Sequence, residues 1–178
     1  MIAPPATWET ERLVLTPACV ADAQAAFEGY TSDPSVTRYM MWRAHGSLDE
    51  TVQFMRRCEN VWREGSAFPW SLRLKRDGSF AGMLEARVRQ HSVDIGYVLA
   101  RRLWRQGLMS EAVGGFVAWA MSQPGIFRIW AICDVENIAS ARLLEHAGMQ
   151  LEGTLRKRVV HPNMSDTPRD CFCYAIVK

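Results

Sequence analysis

The chain has 178 residues, 48% hydrophobic and 22% charged, with a formal net charge of +2. That length and composition describe one ordinary globular domain with a sizeable core, read as spanning residues 1–178. So small a net charge excludes a nucleic-acid partner held by bulk electrostatics, and no apolar run reaches membrane-spanning length.

The opening residues, MIAPPATWETE, lack a basic-then-apolar leader, so the expected location is the cytoplasm. The five cysteines fit: their number is odd, and Cys19, Cys58 and Cys133 sit in apolar contexts, as free, reduced thiols do. Cys171 and Cys173 form a C-x-C pair on an expected strand with no second ligand pair nearby, so no metal site is expected.

Residues 13–16 (LVLT) read as a first strand ended by Pro17. Residues 18–30 have helical period at Val20, Ala23, Ala26, Phe27 and Tyr30. Asp33-Pro34 starts a short second helix expected to reach Tyr39, and an aromatic loop at residues 39–42 follows. Ser47 opens a third helix with Glu50 as its capping-box partner, and Gly65 stops it.

Strands at 68–75 and 79–88 are joined at Asp77-Gly78, a strong hairpin signal, and 91–99 completes a meander. A short cationic turn with Arg101, Arg102 and Arg105 then feeds a helix from about Gly107. A strand entering a helix through such a turn leaves the first backbone N–H groups of the helix unpaired, with the positive end of its dipole behind them. This is a ready site for a local anion such as a pyrophosphate.

Met109, Ala112, Val113, Phe116, Val117 and Ala120 form the apolar stripe of this helix. Gly114 and Gly115 cost it about 2 kcal/mol against alanine and suit close packing on a sheet. Residues 127–133 (FRIWAIC) alternate little and are expected to be buried on both faces. The helix at 137–147 turns Ile138, Ala141, Leu144 and Ala147 inward and ends at Gly148. Strands at 149–160 and 170–177 finish a mixed α/β domain without repeats or linkers.

That order resembles the GCN5-related N-acetyltransferase (GNAT) superfamily over essentially the whole chain. Signatures of its ribosomal-protein N-terminal acetyltransferase branch recur in order: TERLVL (10–15), IGYVL (95–99), WRQGLMSEA (104–112), ENIASARLLEHAGM (136–149) and LEGTLR (151–156). The resemblance implies a central, mostly antiparallel seven-stranded sheet with splayed fourth and fifth strands, flanked by helices. It also implies acetyl transfer from acetyl-CoA to a primary amine, directly and in a ternary complex. The closest acceptor class is a protein or peptide N-terminus. A small-molecule amine is the alternative, a non-catalytic acyl-CoA sensor is a third reading, and a homodimer is compatible with the resemblance.

Carried onto this chain, the cofactor sites are Tyr97, Val98 and Leu99 along the pantetheine arm, then Arg105, Gln106, Gly107, Leu108, Met109 and Ser110 at the pyrophosphate. Asn137 and Ser140 complete them. The phosphate loop departs from the family pattern at Trp104 and at Met109, which either crowds the pyrophosphate or points into the core. Ser140 is a candidate proton donor to the departing thiolate, or a small packing residue.

Asp94 is the candidate general base and Glu85 its competitor. Either carboxylate is alternatively a cross-strand partner of Arg87, or acts through a water chain. His45, His91, His146 and His161 receive no role. The acceptor pocket is expected from the first helices, the 40–42 loop and the 161–169 loop, with Met40, Met41, Trp42, Phe68 and Trp70 giving it an aromatic, sulfur-rich character.

Overall fold

Alternating and turn-bounded segments assemble into one eight-stranded sheet of order β1-β2-β3-β4-β5-β6-β8-β7, in a computed structural model that describes residues 3–178. The strands are β1 (Trp8–Glu9), β2 (Leu13–Pro17), β3 (Phe68–Leu74), β4 (Phe80–Arg89), β5 (Ser92–Leu99), β6 (Arg128–Asp134), β7 (Gln150–Val159) and β8 (Arg169–Val177). Neighbours pair antiparallel except β5 and β6, which are parallel.

The seven expected strands are all present. The eighth is β1, a two-residue ladder on β2 too short to carry a period-two signal. Its anchor is the Trp8 ring, which packs edge-on against Trp70 and tilted on Phe116.

The helices are α1 (Ala23–Ala26), α2 (Pro34–Thr37), α3 (Leu48–Glu64), α4 (Leu108–Ser122) and α5 (Ile138–His146). The helical segment expected at 18–30 is uneven: a tight turn at Val20–Asp22 precedes α1, and a wide turn at Phe27–Thr31 follows it. The second helix ends at Thr37, short of Tyr39.

On α3, Ser47 caps the Glu50 amide, while the Glu50 carboxylate accepts from Gly46 N at 3.1 Å. The reciprocal half of the capping box is thus displaced by one residue. Gly65, left-handed at φ +69°, closes the helix as expected.

A large core fills the space between the sheet and α4 and α5, and every stripe residue expected on α4 is buried. A second cluster, with Tyr30, Met55, Cys58, Phe80 and Met83, lies under α1–α3 on the opposite face. That second layer packs chiefly on β3 and β4, with no comparable packing on β6. This corrects the reading of β6: Ile129, Ala131 and Cys133 are buried, but Trp130 and Ile132 are only half-buried.

Two further expectations are corrected. Ile138 is 50% exposed, so the inward stripe of α5 begins at Ala141 and Leu144. Gly115 allows close approach, but to the Trp8 ring, which lies 3.1 Å from where a Cβ would stand, while Gly114 faces open space. No helix among the described residues is long and apolar enough to cross a membrane.

Candidate active site

The parallel ladder between β5 and β6 is short. It pairs Ser92 with Arg128, Val93 with Ile129 and Asp94 with Trp130, and then the strands part. Residues 95–99 stay bonded to β4 and residues 131–134 to β8, so each keeps one free edge facing the gap. Unpaired strand edges carry N–H and C=O groups that need partners. A cavity of about 900 Å³ occupies this gap. One of the free carbonyls, that of Leu99, accepts from Trp104 Nε1 at 2.8 Å, which gives the departure at Trp104 a structural use.

One end of the cavity is the cationic turn. After a tight turn at Arg101–Leu103, Arg105 and Gly107 both take left-handed backbone (φ +61° and +73°) and α4 begins. The helices α3 and α5 are capped by the side chains of Ser47 and Asn137. Gly107 has no side chain to cap with, so the N–H groups that start α4 are open to the cavity, which Gly107, Leu108, Met109 and Ser110 line.

Arg12, from the TERLVL signature, braces this turn. Its Nη1 donates to the Gln106 carbonyl at 2.9 Å, and its Nε and backbone N donate to Glu111 at 2.6 and 2.8 Å. Of the expected cations, Arg105 lines the cavity. Arg101 is turned to Ser35 and Arg102 to the Phe80 carbonyl. Gln106 is exposed beside the loop and donates to the Arg102 carbonyl at 3.2 Å. Met109 is 4% exposed and packs into the core under the helix start, so its bulk goes inward.

Midway along, α5 faces β5 across the gap. Asn137 Oδ1 accepts from Ser140 N at 3.2 Å, and Ser140 Oγ lies 2.8 Å from the Tyr97 hydroxyl. Burial raises the Tyr97 pKa, with the Ser140 hydrogen bond partly offsetting it. Cys133 lines the same wall, and burial pushes its thiol up to about 11. Tyr97, Val98, Leu99, Asn137 and Ser140 therefore share one cavity with the α4 N-terminus.

At the far end, Arg87 lines the wall, bonded to Asp94 Oδ2 at 2.5 Å and to Glu85. The cross-strand pairing considered for both carboxylates is thus present, and the guanidinium stands at the cavity where neither of them does. Phe68 and Trp70 belong to the core, whereas Tyr39, Met40, Met41 and Trp42 line the cavity.

The loop between β7 and β8 is fastened to the segment at residues 37–44. Asn163 Nδ2 donates to the carbonyls of Thr37 (2.8 Å) and Trp42 (2.7 Å), and its Oδ1 accepts from Ala44 N (3.0 Å). Beside it, His161 joins the lining near Asp134, whose carboxylate accepts from Arg169 Nε at 2.6 Å, Arg169 Nη2 at 3.2 Å and Glu136 N at 2.9 Å. Burial alone raises the Asp134 pKa, but the Arg169 and Glu136 donors more than offset it and hold it below its usual value.

The sequence singled out neither Asn163 nor Asp134, and gave His161 no role. Their partners lie far along the chain and no spacing announces them. Among the described residues, no group of three or more His, Cys, Asp or Glu side chains is disposed to hold a metal.

A profile of the acetyltransferase (GNAT) domain matches residues 12–150. The uncharacterized N-acetyltransferase YoaA of Bacillus subtilis (strain 168) is 31% identical over 173 residues, covering 96% of each chain. Among solved structures, the microcin C7 self-immunity acetyltransferase MccE, in complex with acetyl-CoA and AMP, superposes with a TM-score of 0.87 at 19% identity, covering 98% of each chain. An acetyltransferase from Salmonella typhimurium, described as modifying the N-terminal serine of ribosomal protein L7/L12, has a TM-score of 0.82. It is 19% identical and covers 95% of this chain and 96% of that one. At that identity the two structures speak for the fold.

Proposed function

The chain belongs to the GNAT acetyltransferase family, and on that premise we propose that it moves the acetyl group of acetyl-CoA directly onto a primary amine, with a protein or peptide N-terminus as the acceptor. The observation that carries this reading is a single cavity with the uncapped start of α4 at one end and the parted edges of β5 and β6 along its length. The N–H groups of residues 107–110 suit the pyrophosphate, with Arg105 adding charge and Gln106 held beside them. The edge of β5 along Tyr97, Val98 and Leu99, where the Leu99 carbonyl is already taken by Trp104, suits the amides of the pantetheine arm and polarisation of the thioester carbonyl by a backbone N–H.

Asn137 is spent as a helix cap, so its contribution to the cofactor is to fix the first turn of α5 and, with it, Ser140. Ser140 Oγ then protonates the leaving thiolate, and Tyr97, whose high pKa keeps it a hydroxyl, hydrogen-bonds Ser140 throughout. Asp94 reaches the amine only through Arg87 or a water chain. With Glu85 it holds the Arg87 guanidinium at the cavity wall.

The clasp made by Asn163 over the acceptor end supports a second reading, a small-molecule amine. Both readings meet in one experiment: thiol release from acetyl-CoA with peptides beginning in Ser or Ala and with a set of small amines, for the parent and Ser140→Ala. The expected result is turnover of the peptides, with kcat lowered about 100-fold or more in the variant at unchanged acetyl-CoA affinity. Turnover of small amines alone transfers the acceptor to the second reading. Absence of acetyl-CoA binding in a calorimeter removes both.

A further inference from the structure

The imidazole of His161 is 6% exposed, and both of its ring nitrogens are buried without a hydrogen-bond partner among the described residues, so an amine meets Nδ1 only by direct contact in the bound complex. Buried polar groups are nearly always satisfied, so an orphaned pair of ring nitrogens on a cavity wall calls for an explanation. Other groups lining that cavity with acid–base chemistry are engaged or shifted: His146 Nδ1 lies 2.7 Å from the Arg142 carbonyl, and burial raises the Cys133 and Cys171 thiols. The Arg87 guanidinium is bonded to two carboxylates, and Ser140 is bonded to Tyr97.

His161 is held, but not by a strong bond to a ring nitrogen. Its Nε2 stands 3.5 Å from Asp134 Oδ2, its ring lies edge-on to Tyr39 at 6.3 Å, and its carbonyl anchors the turn through Met164 N and Ser165 N. Asp134 is kept ionised and immobile by Arg169 and the Glu136 amide. A fixed anion beside Nε2 favours the tautomer with its proton there, which leaves Nδ1 bare as an acceptor.

We infer that His161 is the catalytic proton acceptor for the incoming amine, set in its tautomer by Asp134 and Arg169. This rests on the acetyl-transfer reading above and deepens it. The acceptor arrives as R–NH3+ and gives one proton to Nδ1, and the freed lone pair attacks the thioester carbon. As the C–N bond forms and the C–S bond breaks, the second N–H proton passes to the thiolate through the Ser140 hydroxyl. The products are the amide, the free thiol of CoA and an imidazolium that returns its proton to solvent.

The charged and titratable groups around the ring are Asp134 on β6, Arg169 and Cys171 on β8, and Tyr39 after α2, with Glu136 bonded to Arg169. Only the neutral ring accepts a proton, so an ascending limb in the pH profile of kcat/KM that depends on this residue is a readout a merely structural role would not move.

The test has two arms. In the first, His161→Gln and His161→Asn are assayed from pH 5.5 to 9 with acetyl-CoA and a peptide beginning in Ser, and with the small-amine set. The expected result is a loss of about 100-fold or more in kcat/KM, with disappearance of the ascending limb, while acetyl-CoA affinity stays within about twofold. Parent-like kcat/KM and an unchanged pH profile in either variant overturn the inference.

The second arm needs no acceptor. Nitrogen-15 NMR of the histidine-labelled protein at pH 8, assigned with His161→Gln, is expected to show the Nε2–H tautomer with bare Nδ1. A protonated Nδ1 overturns the inference even if no tested amine turns over. Failure of every amine with the parent enzyme, together with a bare Nδ1, counts against the acceptor class and not against His161.

Discussion

Replacing Gly82 with alanine tests whether the position of β5 sets the chemistry. Gly82 on β4 faces Leu99 on β5, and a Cβ built there would stand 2.2 Å from the Val98 carbonyl oxygen and 3.0 Å from Leu99 Cα. Both obstacles are backbone, so no rotamer change relieves them, and β5 must recede by close to 1 Å before the contact is tolerable. Overpacking of this kind costs about 1–3 kcal/mol. For a domain of this size that lowers Tm by about 2–12 °C.

The displaced backbone is the stretch proposed to orient the thioester, where an error of about 1 Å is worth about 100-fold in rate. Thermal unfolding and kcat/KM measured on one preparation of Gly82→Ala, with folding verified by circular dichroism, report both effects. A variant with parental Tm and parental kcat/KM refutes the claim that the edge of β5 is fixed and catalytically positioned.

Gly114→Ala is the opposite case: a Cβ there meets nothing within 4 Å, so the change should stabilise by about 1 kcal/mol, read as a rise in denaturant midpoint at constant slope. Asn163→Ala removes three hydrogen bonds between the acceptor-side loops and should lower kcat/KM for the amine by about tenfold or more, with acetyl-CoA affinity unchanged by calorimetry. An equal loss in both would place Asn163 in general stability.

Glu111 gives a pH signature. Partial burial raises its carboxyl pKa, but hydrogen bonds from Thr10 and Arg12 and the Arg12 charge bring the net value below the usual one. A depressed folded pKa contributes stability that is complete above the unfolded value of about 4.3 and is lost as pH falls through the folded one. Glu111→Gln should therefore be less stable than the parent at pH 7, with the gap closing below about pH 4 in urea titrations. A gap independent of pH would assign the effect to packing.

What the sequence made legible is what short-range chemistry decides. Asp77-Gly78, Ser47 with Gly65, Gly107 and Asn137 each work within a turn or a cap, and each sits where its residue type predicts. Burial was harder to read. The run at 127–133 looks uniformly apolar, yet only one face of β6 meets a helical layer. Asp94 was placed on the correct strand, but its state depends on Arg87 being shared with Glu85, a fact of register between two strands. Met109 looked irregular only because a one-dimensional motif does not say which way the first turn of a helix faces.

The end of the cavity proposed for the acceptor was the least legible part, and the reason is topological. Asp134 ends β6, Arg169 begins β8 and His161 sits on the loop after β7, so three distant segments meet only because β8 lies between β6 and β7 in the sheet. The two ends of the cavity also differ in the source of their charge. At the cofactor end it comes from the backbone start of α4, with Arg12 holding the turn from outside. At the end proposed for the acceptor it comes from side-chain pairs, Arg87 with Asp94 and Glu85 and Asp134 with Arg169. Substitutions at Arg105 or Gln106 should then weaken cofactor affinity modestly, because the helix start remains, whereas Arg87→Met leaves two carboxylates unpaired beside the acceptor and alters amine KM far more than acetyl-CoA affinity.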